Sequence, residues 1–401
     1  MEFVIREDYL KKIRPFIDKD VVKVLVGMRR SGKSTLLLQV RDGLAERGVA
    51  PGNMIAMNFE SEALAPFRTH DALYREIVRR IEGAVGRVYL FFDEIQRVAS
   101  WELCVNSLRV DIDCDIYLTG SNAHLLSGEL ATHLAGRYLS IMVQPFSYRE
   151  ALLAMPNRTP REVFSSYRVL GGMPFLAQTD FVREESMAYL RDIYNSIVLK
   201  DIVQRYSFRD IDQLERVIAY FFSEIGTTFS AKNIVNVLAD EKRPASRESI
   251  YRYIEACESA LLISRVRRQD VMGKELLRAQ EKLYVTDVGI REALLGTNES
   301  RVDCVLENIV YNEMVRRGWR VTIGKVGTRE IDFVGDRAGE RMYVQVAYLM
   351  ESEATRQREF GAYESVPDNY PKYVVSMDEV DFSQNGILHL NVRDFLLAES
   401  W

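Results

Sequence analysis

Short apolar runs and longer amphipathic stretches alternate along the first 150 residues. Val21-Val22-Lys23-Val24-Leu25-Val26 is rich in β-branched residues and ends at Gly27, which predicts a buried strand entering a tight turn. Ser34–Leu44 then spaces its apolar side chains three and four apart, the period of a helix packed along one face. The alternation repeats. Asn53–Phe59 reads as a strand, Asp71–Ile81 as a helix with Leu73, Ile77, Val78 and Ile81 on one face, and Arg87–Phe92, Asp115–Thr119 and Tyr138–Val143 as three more strands. Near-continuous apolar strands joined by helices predict a parallel sheet covered on both faces, an α/β fold in three layers.

The pattern changes in the middle third. Leu214–Ile225 is amphipathic and stops at Gly226-Thr227-Thr228. Ser230 then caps a helix over Ala231–Ala239, and Ser246 caps a third that turns Ile250, Tyr253, Ile254 and Cys257 inward. Leu261-Leu262-Ile263 begins a strand and Lys282-Leu283-Tyr284-Val285 returns as its partner. Three short helices and a β-hairpin predict a winged helix-turn-helix. Farther on, a helix from Glu307 to Arg317 precedes strands at Trp319–Ile323, Glu330–Val334 and Met342–Ala347.

Composition narrows the class without naming a chemistry. At 401 residues the chain is long enough for two to three domains, and its 47% hydrophobic and 28% charged residues suit a soluble globular protein. The longest apolar runs are strand-length, so no membrane span is expected. The charged start, Met1 to Asp8, has no secretory signal character. Cys104, Cys114, Cys257 and Cys304 show no CxxC spacing and read as reduced thiols of a cytoplasmic protein. A net charge of −5 does not advertise nucleic-acid binding, although a local basic face would be averaged away in that sum.

The chemistry is concentrated at strand ends. Gly27-Met28-Arg29-Arg30-Ser31-Gly32-Lys33-Ser34 has the spacing GxxxxGK[ST] between a predicted strand and a predicted helix, the context that identifies a phosphate-binding loop. Gly27 and Gly32 let the backbone approach phosphates, and the N–H groups of Arg30, Ser31 and their neighbours supply partial positive charge. Lys33 is placed for the β- and γ-phosphates, the Ser34 hydroxyl for Mg²⁺, and Thr35 for the α-phosphate. Arg87–Phe92 delivers Asp93 and Glu94 to the same crevice, Asp93 to hold Mg²⁺ and Glu94 to polarise the attacking water. The fourth strand ends at Ser121-Asn122, either of which can sense the γ-phosphate. ATP and Mg²⁺ are the expected cofactors.

Cationic side chains gather on the predicted winged helix. Arg243, Arg247, Tyr251 and Arg252 flank its third helix, and Arg265, Arg267, Arg268, Lys274 and Arg278 populate the hairpin. Such a set would contact DNA phosphates with little sequence preference; the alternative is a protein-contact module with solvated arginines.

Gly27–Thr35, Phe91-Phe92-Asp93-Glu94-Ile95-Gln96 and Leu118-Thr119-Gly120-Ser121 together resemble the AAA+ superfamily. More narrowly, the chain resembles a prokaryotic family that joins an AAA+ core to a winged helix and a restriction-endonuclease-like domain. Asn58-Phe59-Glu60, Gly136-Arg137-Tyr138, Pro145-Phe146-Ser147-Tyr148-Arg149-Glu150, Gly171-Gly172-Met173-Pro174 and Glu307-Asn308 extend the match. The resemblance implies an ATPase core over residues 1–150, a helical lid over 151–208, a winged helix over 209–290 and an endonuclease-like domain over 291–401. It makes Arg137 an arginine finger acting on a neighbouring subunit, hence a ring, most simply a hexamer. It also lets Asn58 or Glu60 gate Glu94. In the last domain Glu307, Asp332 and Gln345 match metal-binding positions, but Ala347 stands where the chemistry needs a lysine. That substitution implies a retired nuclease serving as a scaffold, unless a lysine from elsewhere takes its place.

The functional expectation is an oligomeric ATPase that binds and remodels or translocates on DNA, branched DNA included. The alternatives are a nucleotide-controlled switch or defence regulator acting on a protein partner, and an ATP-dependent nuclease.

Overall fold

A computed structural model of the chain describes residues 3–401 apart from 124–133, 135, 180, 272, 274, 297–300 and 367, with backbone only at 275–279. Lys274 therefore lies outside the described residues, as does the side chain of Arg278. The chain forms two compact units, residues 1–144 with 259–261, and residues 145–258 with 262–401.

The first unit is built on five parallel strands: β1 (Val22–Val26), β2 (Met54–Asn58), β3 (Val88–Asp93), β4 (Cys114–Gly120) and β5 (Tyr138–Met142). They lie in the order β2-β3-β4-β1-β5. Strand alternation divides the core between two faces. Val24, Val26, Leu90 and Phe92 face the helices His70–Arg80 and Trp101–Asp111, while Leu25, Phe91 and Tyr117 face the helix Lys33–Glu46. The five expected strands are present to within a residue or two. The helix at Trp101–Asp111 was not anticipated from the pattern. One charged pair interrupts the apolar sheet: Lys23 on β1 meets Asp115 on β4, with both side chains fully buried.

The second unit carries a mixed seven-stranded sheet of β6 (Ile263–Asp270), β7 (Glu275–Val285), β8 (Arg320–Val326), β9 (Arg329–Arg337), β10 (Glu340–Val346), β11 (Lys372–Ser376) and β12 (Leu388–Asn391). Their order is β12-β11-β10-β9-β8-β6-β7. The three helices Ile211–Ser223, Ala231–Asp240 and Arg247–Ser259 precede β6, with Asp210 and Ser230 accepting the capping N–H bonds of the first two. The hairpin after them differs from a free wing. Strand β6 pairs antiparallel with β7 and also parallel with β8, so the hairpin is the edge of the C-terminal sheet. The helix expected from Glu307 begins at Val302, which puts Glu307 in its second turn.

Gly171-Gly172 is fixed from within this unit. Asp287 accepts from Gly172 N at 2.8 Å and from Ile290 N at 3.1 Å, capping the helix Val288–Leu295 with the same carboxylate. A Cβ on Gly171, whose φ is +70°, would stand 2.2 Å from that carboxylate. Asp287→Ala strands a buried N–H and removes a cap. It should cost about 2–4 kcal/mol, read as a lower unfolding midpoint, with Asp287→Asn losing less because its single acceptor oxygen keeps one of the two bonds. Equal losses in the two variants would refute this account.

Candidate functional site

Strand order brings the phosphate loop, at the end of β1, and Asp93, at the end of β3, to either side of β4. The loop turns through left-handed backbone at Arg30 (φ +64°) and Gly32 (φ +93°) before the helix Lys33–Glu46 starts. Gly32 supplies the conformation glycine is suited to. Gly27 is required for a different reason than phosphate approach, since a Cβ there would lie 2.1 Å from Val143 O on the neighbouring chain segment. Lys33 is buried, with Nζ 3.0 Å from Gly27 O, 3.1 Å from Met28 O and 3.7 Å from Glu94 Oε1.

The two carboxylates are oriented by β4. Thr119 Oγ1 donates to Asp93 Oδ1 and accepts from Glu94 N at 2.9 Å. Asp93 also accepts from the Ser34 hydroxyl, and burial raises its pKa despite both hydrogen bonds. A serine hydroxyl beside a carboxylate is an oxygen donor set that suits Mg²⁺, so Ser34 and Asp93 fit the ion expected there. Glu94 adopts left-handed backbone (φ +54°, ψ +49°), an uncommon state for a non-glycine residue that recurs at functional sites. That turn aims its carboxylate at Ser121, whose Oγ donates to Oε2 at 3.1 Å, and at Gln96, whose Nε2 donates to the same oxygen.

Two contributors escaped the sequence reading. Thr119 falls within the Leu118–Ser121 motif but was given no role there, and its position at the end of a strand flanked by both other motifs is the signal that marks it. Arg6 belongs to a stretch read simply as charged, yet it is buried and donates to Ser31 O and Gln144 O, both at 2.9 Å. It braces the phosphate loop from behind. Asn58 and Glu60 keep to other partners: Asn58 Oδ1 accepts from Glu60 N, and Glu60 pairs with Arg29 and Arg97. Asn122 is buried beside Ser121. Thr35 follows Ser34 in the first turn of the helix. Arg137 is exposed, 3.9 Å from Asp20, and its carbonyl accepts from Val22 N at the start of β1. It therefore stands at the opposite end of the sheet from the phosphate loop.

In the second unit, Arg247, Tyr251 and Arg252 are exposed on the helix Arg247–Ser259, Arg252 lying over the Phe208 ring. Arg243 pairs with Asp212, and the exposed Arg267 lies 3.8 Å from Glu281. Arg268 is different. Its side chain is 11% exposed and is committed to Glu330 and Gln280.

Glu307, Asp332 and Gln345 do come together, lining a cavity of about 530 Å³ with Glu330, Arg329 and Arg358. A lysine from another strand has joined them. Lys282 Nζ, on β7, lies 3.0 Å from Glu307, 2.8 Å from Glu330 and 3.8 Å from Asp332, with its side chain 5% exposed. Burial alone would lower its pKa; the carboxylates of Glu307 and Asp332 more than reverse this and raise it. Asp332 is pushed up to about 7 by burial and by Glu307, against the pull of Lys282. Gln345 Oε1 accepts from Asp332 N at 3.2 Å. One ammonium thus offsets part of the charge of three carboxylates, and it brings to the cavity the lysine that Ala347 does not supply. Ala347 packs in an apolar cluster with Tyr343, Met350 and Tyr363.

Residues 19–152 match a family described as an AAA domain, and residues 161–301 match a domain of unknown function (DUF8612). An uncharacterized protein of Haemophilus influenzae is 36% identical over 98% of this chain and 98% of its own length. An uncharacterized protein of Methanocaldococcus jannaschii is 28% identical over 98% of this chain and 88% of its own length. Among solved structures, Cdc6p from Pyrobaculum aerophilum aligns with 73% of this chain and 94% of its own at 10% identity, with a TM-score of 0.32. At that score the likeness says nothing about function.

Proposed function

Because the chain belongs to the family of the Haemophilus influenzae protein and carries an AAA domain over residues 19–152, we propose that it is a magnesium-dependent ATPase that works as a ring on DNA. Thr119 holding Asp93 and Glu94 at the mouth of the phosphate loop carries the catalytic half of this reading. On ATP binding Lys33 exchanges its two carbonyl partners for phosphate oxygens. Ser34 and Asp93 would hold Mg²⁺, which when bound would offset the phosphate charge. Glu94 takes a proton from the attacking water. The Ser121–Glu94 hydrogen bond favours Ser121 over Asn122 as the residue that registers the γ-phosphate.

Arg137 supplies the argument for a ring. At the far end of the sheet it cannot serve its own nucleotide, and its exposed guanidinium is available to a neighbour's. A head-to-tail arrangement follows, and a closed hexamer satisfies it.

DNA contact falls to a winged helix over 209–290, through Arg247, Tyr251, Arg252 and Arg267, with Arg243 and, on sequence alone, Lys274 added to the set. The endonuclease-like domain, 291–401, is then a scaffold that does not cleave. The lid, 151–208, links core and winged helix. ATP turnover should rise with single-stranded, duplex or branched DNA, and the stimulation should fall steeply with salt as phosphate contacts are screened. Turnover indifferent to all three DNAs would sink the DNA half of the proposal. It would favour the second reading, a nucleotide-controlled switch on a protein partner. The pairing of Arg243 with Asp212 and of Arg265 with Glu258 and Glu281 speaks for that reading, since those cations are partly spent within the chain.

A further inference from the structure

Gln96 lies against Glu94 and Ser121, the two side chains read above as acting at the attacking water and the γ-phosphate. The left-handed turn at Glu94 leads straight into the helical turn Ile95–Arg97, which folds the Gln96 side chain back over the site. Its Nε2 donates to Glu94 Oε2 and to Ser121 Oγ, the latter at 3.3 Å, so both amide protons have partners. The amide cannot be turned round, because Oε1 would then face the carboxylate oxygen of Glu94 with no proton between them. With that orientation fixed, Oε1 is a buried acceptor that receives no hydrogen bond among the described residues. A buried amide oxygen left without a donor is costly, and such orphans mark places where a ligand or water completes the site.

An attacking water has two hydrogens to place. Glu94 accepts one and removes it, but a single hydrogen bond leaves the water free to rotate about it. A second acceptor fixes the lone pair toward the phosphorus. We propose that Gln96 is a catalytic residue whose amide nitrogen locks Glu94 to Ser121 and whose Oε1 accepts the second hydrogen of the lytic water. The balance is simple: the water oxygen bonds to the γ-phosphorus, the bond to the β–γ bridging oxygen breaks, one proton passes to Glu94, and Gln96 neither gains nor loses one.

This inference rests on the ATPase reading, and the test separates the two. ATP turnover, ATP affinity, thermal midpoint and trapping of ADP with aluminium fluoride are measured for the full chain and for Gln96→Ala, Gln96→Met and Glu94→Gln. Losing the water's alignment should lower kcat about 10²-fold in both Gln96 variants. ATP affinity should stay within about threefold, since the partners of Gln96 are Glu94 and Ser121 and not the phosphate loop, a uniform-binding distinction that kinetics resolves. Trapping with aluminium fluoride, which holds a water in line, should fail, while the thermal midpoint is unmoved. Gln96 variants that turn over and trap like the unaltered chain, while Glu94→Gln does not, would overturn the role of Gln96 and leave the ATPase standing. An unaltered chain that binds ATP without hydrolysing it would overturn both. Loss of affinity or melting temperature in step with kcat would assign Gln96 a merely structural part and equally end the proposal.

Discussion

Glu94→Gln is expected to bind ATP as the unaltered chain does and to hydrolyse it about 10²–10⁴-fold more slowly, the range for removing a positioned general base. The amide keeps the size of the carboxylate and can still meet Ser121 and Gln96, so the site should assemble but lack a group to take the proton. Lys33→Ala is expected to fail earlier, at binding. The lysine ammonium, now held by Gly27 O and Met28 O, is the mobile charge of the loop, while the remaining donors are backbone N–H groups that cannot follow the phosphates. Calorimetry for affinity and single-turnover rates for chemistry separate the two variants. Full turnover in either would refute the assignment of this site.

Lys282→Met should produce the largest loss of stability. It removes the ammonium and leaves the buried carboxylates of Glu307 and Asp332 without it, while Glu330 keeps Arg268. Breaking a buried pair by deleting one partner costs about 3–5 kcal/mol, because the remaining charge is uncompensated. The sign of the pH dependence follows from the same cluster. Without Lys282 the folded-state pKa of Asp332, already pushed up to about 7, rises further above its unfolded value of about 4. The folded variant then binds more protons than the unfolded one over that interval, so its stability falls as pH rises through it and recovers on acidification. Thermal midpoints from about pH 5 to about pH 8 read this directly. A resident ammonium also predicts that Mn²⁺ does not raise the midpoint of the unaltered, nucleotide-free chain. A rise that vanishes in Asp332→Ala, or DNA cleavage requiring Lys282, would reverse the reading of this pocket.

The two sites differed in how far the sequence revealed them. The phosphate loop and Asp93-Glu94 are local: each motif sits on consecutive residues, and the strand before it dictates where it points. Strand periodicity likewise exposed the five-stranded sheet, because strands buried on both faces leave unmistakable apolar runs. Thr119 was invisible for the opposite reason. It acts through a side chain in the interior of a strand end, and threonine there is equally at home as a β-former. Lys282 was harder still, being contributed by β7 to residues on the helix Val302–Arg316 and on β9, a juxtaposition made by sheet pairing rather than by spacing. The same pairing explains why the hairpin was expected as a free wing. Two antiparallel strands announce themselves through their own sequence, whereas the parallel neighbour β8, some fifty residues on, does not.

That shared edge has a mechanical consequence. A hairpin hung on a flexible base yields to a lateral tug by swinging. Here β6 is bonded along one side to β7 and, over Arg268–Asp270, on the other to β8, so a pull parallel to the strands is borne partly by backbone hydrogen bonds loaded in shear. The hairpin is a lever welded to a plate. Whatever it grips, the reaction force is passed into β8 and β9, and with them to the ladder that holds Asp332 beside Lys282.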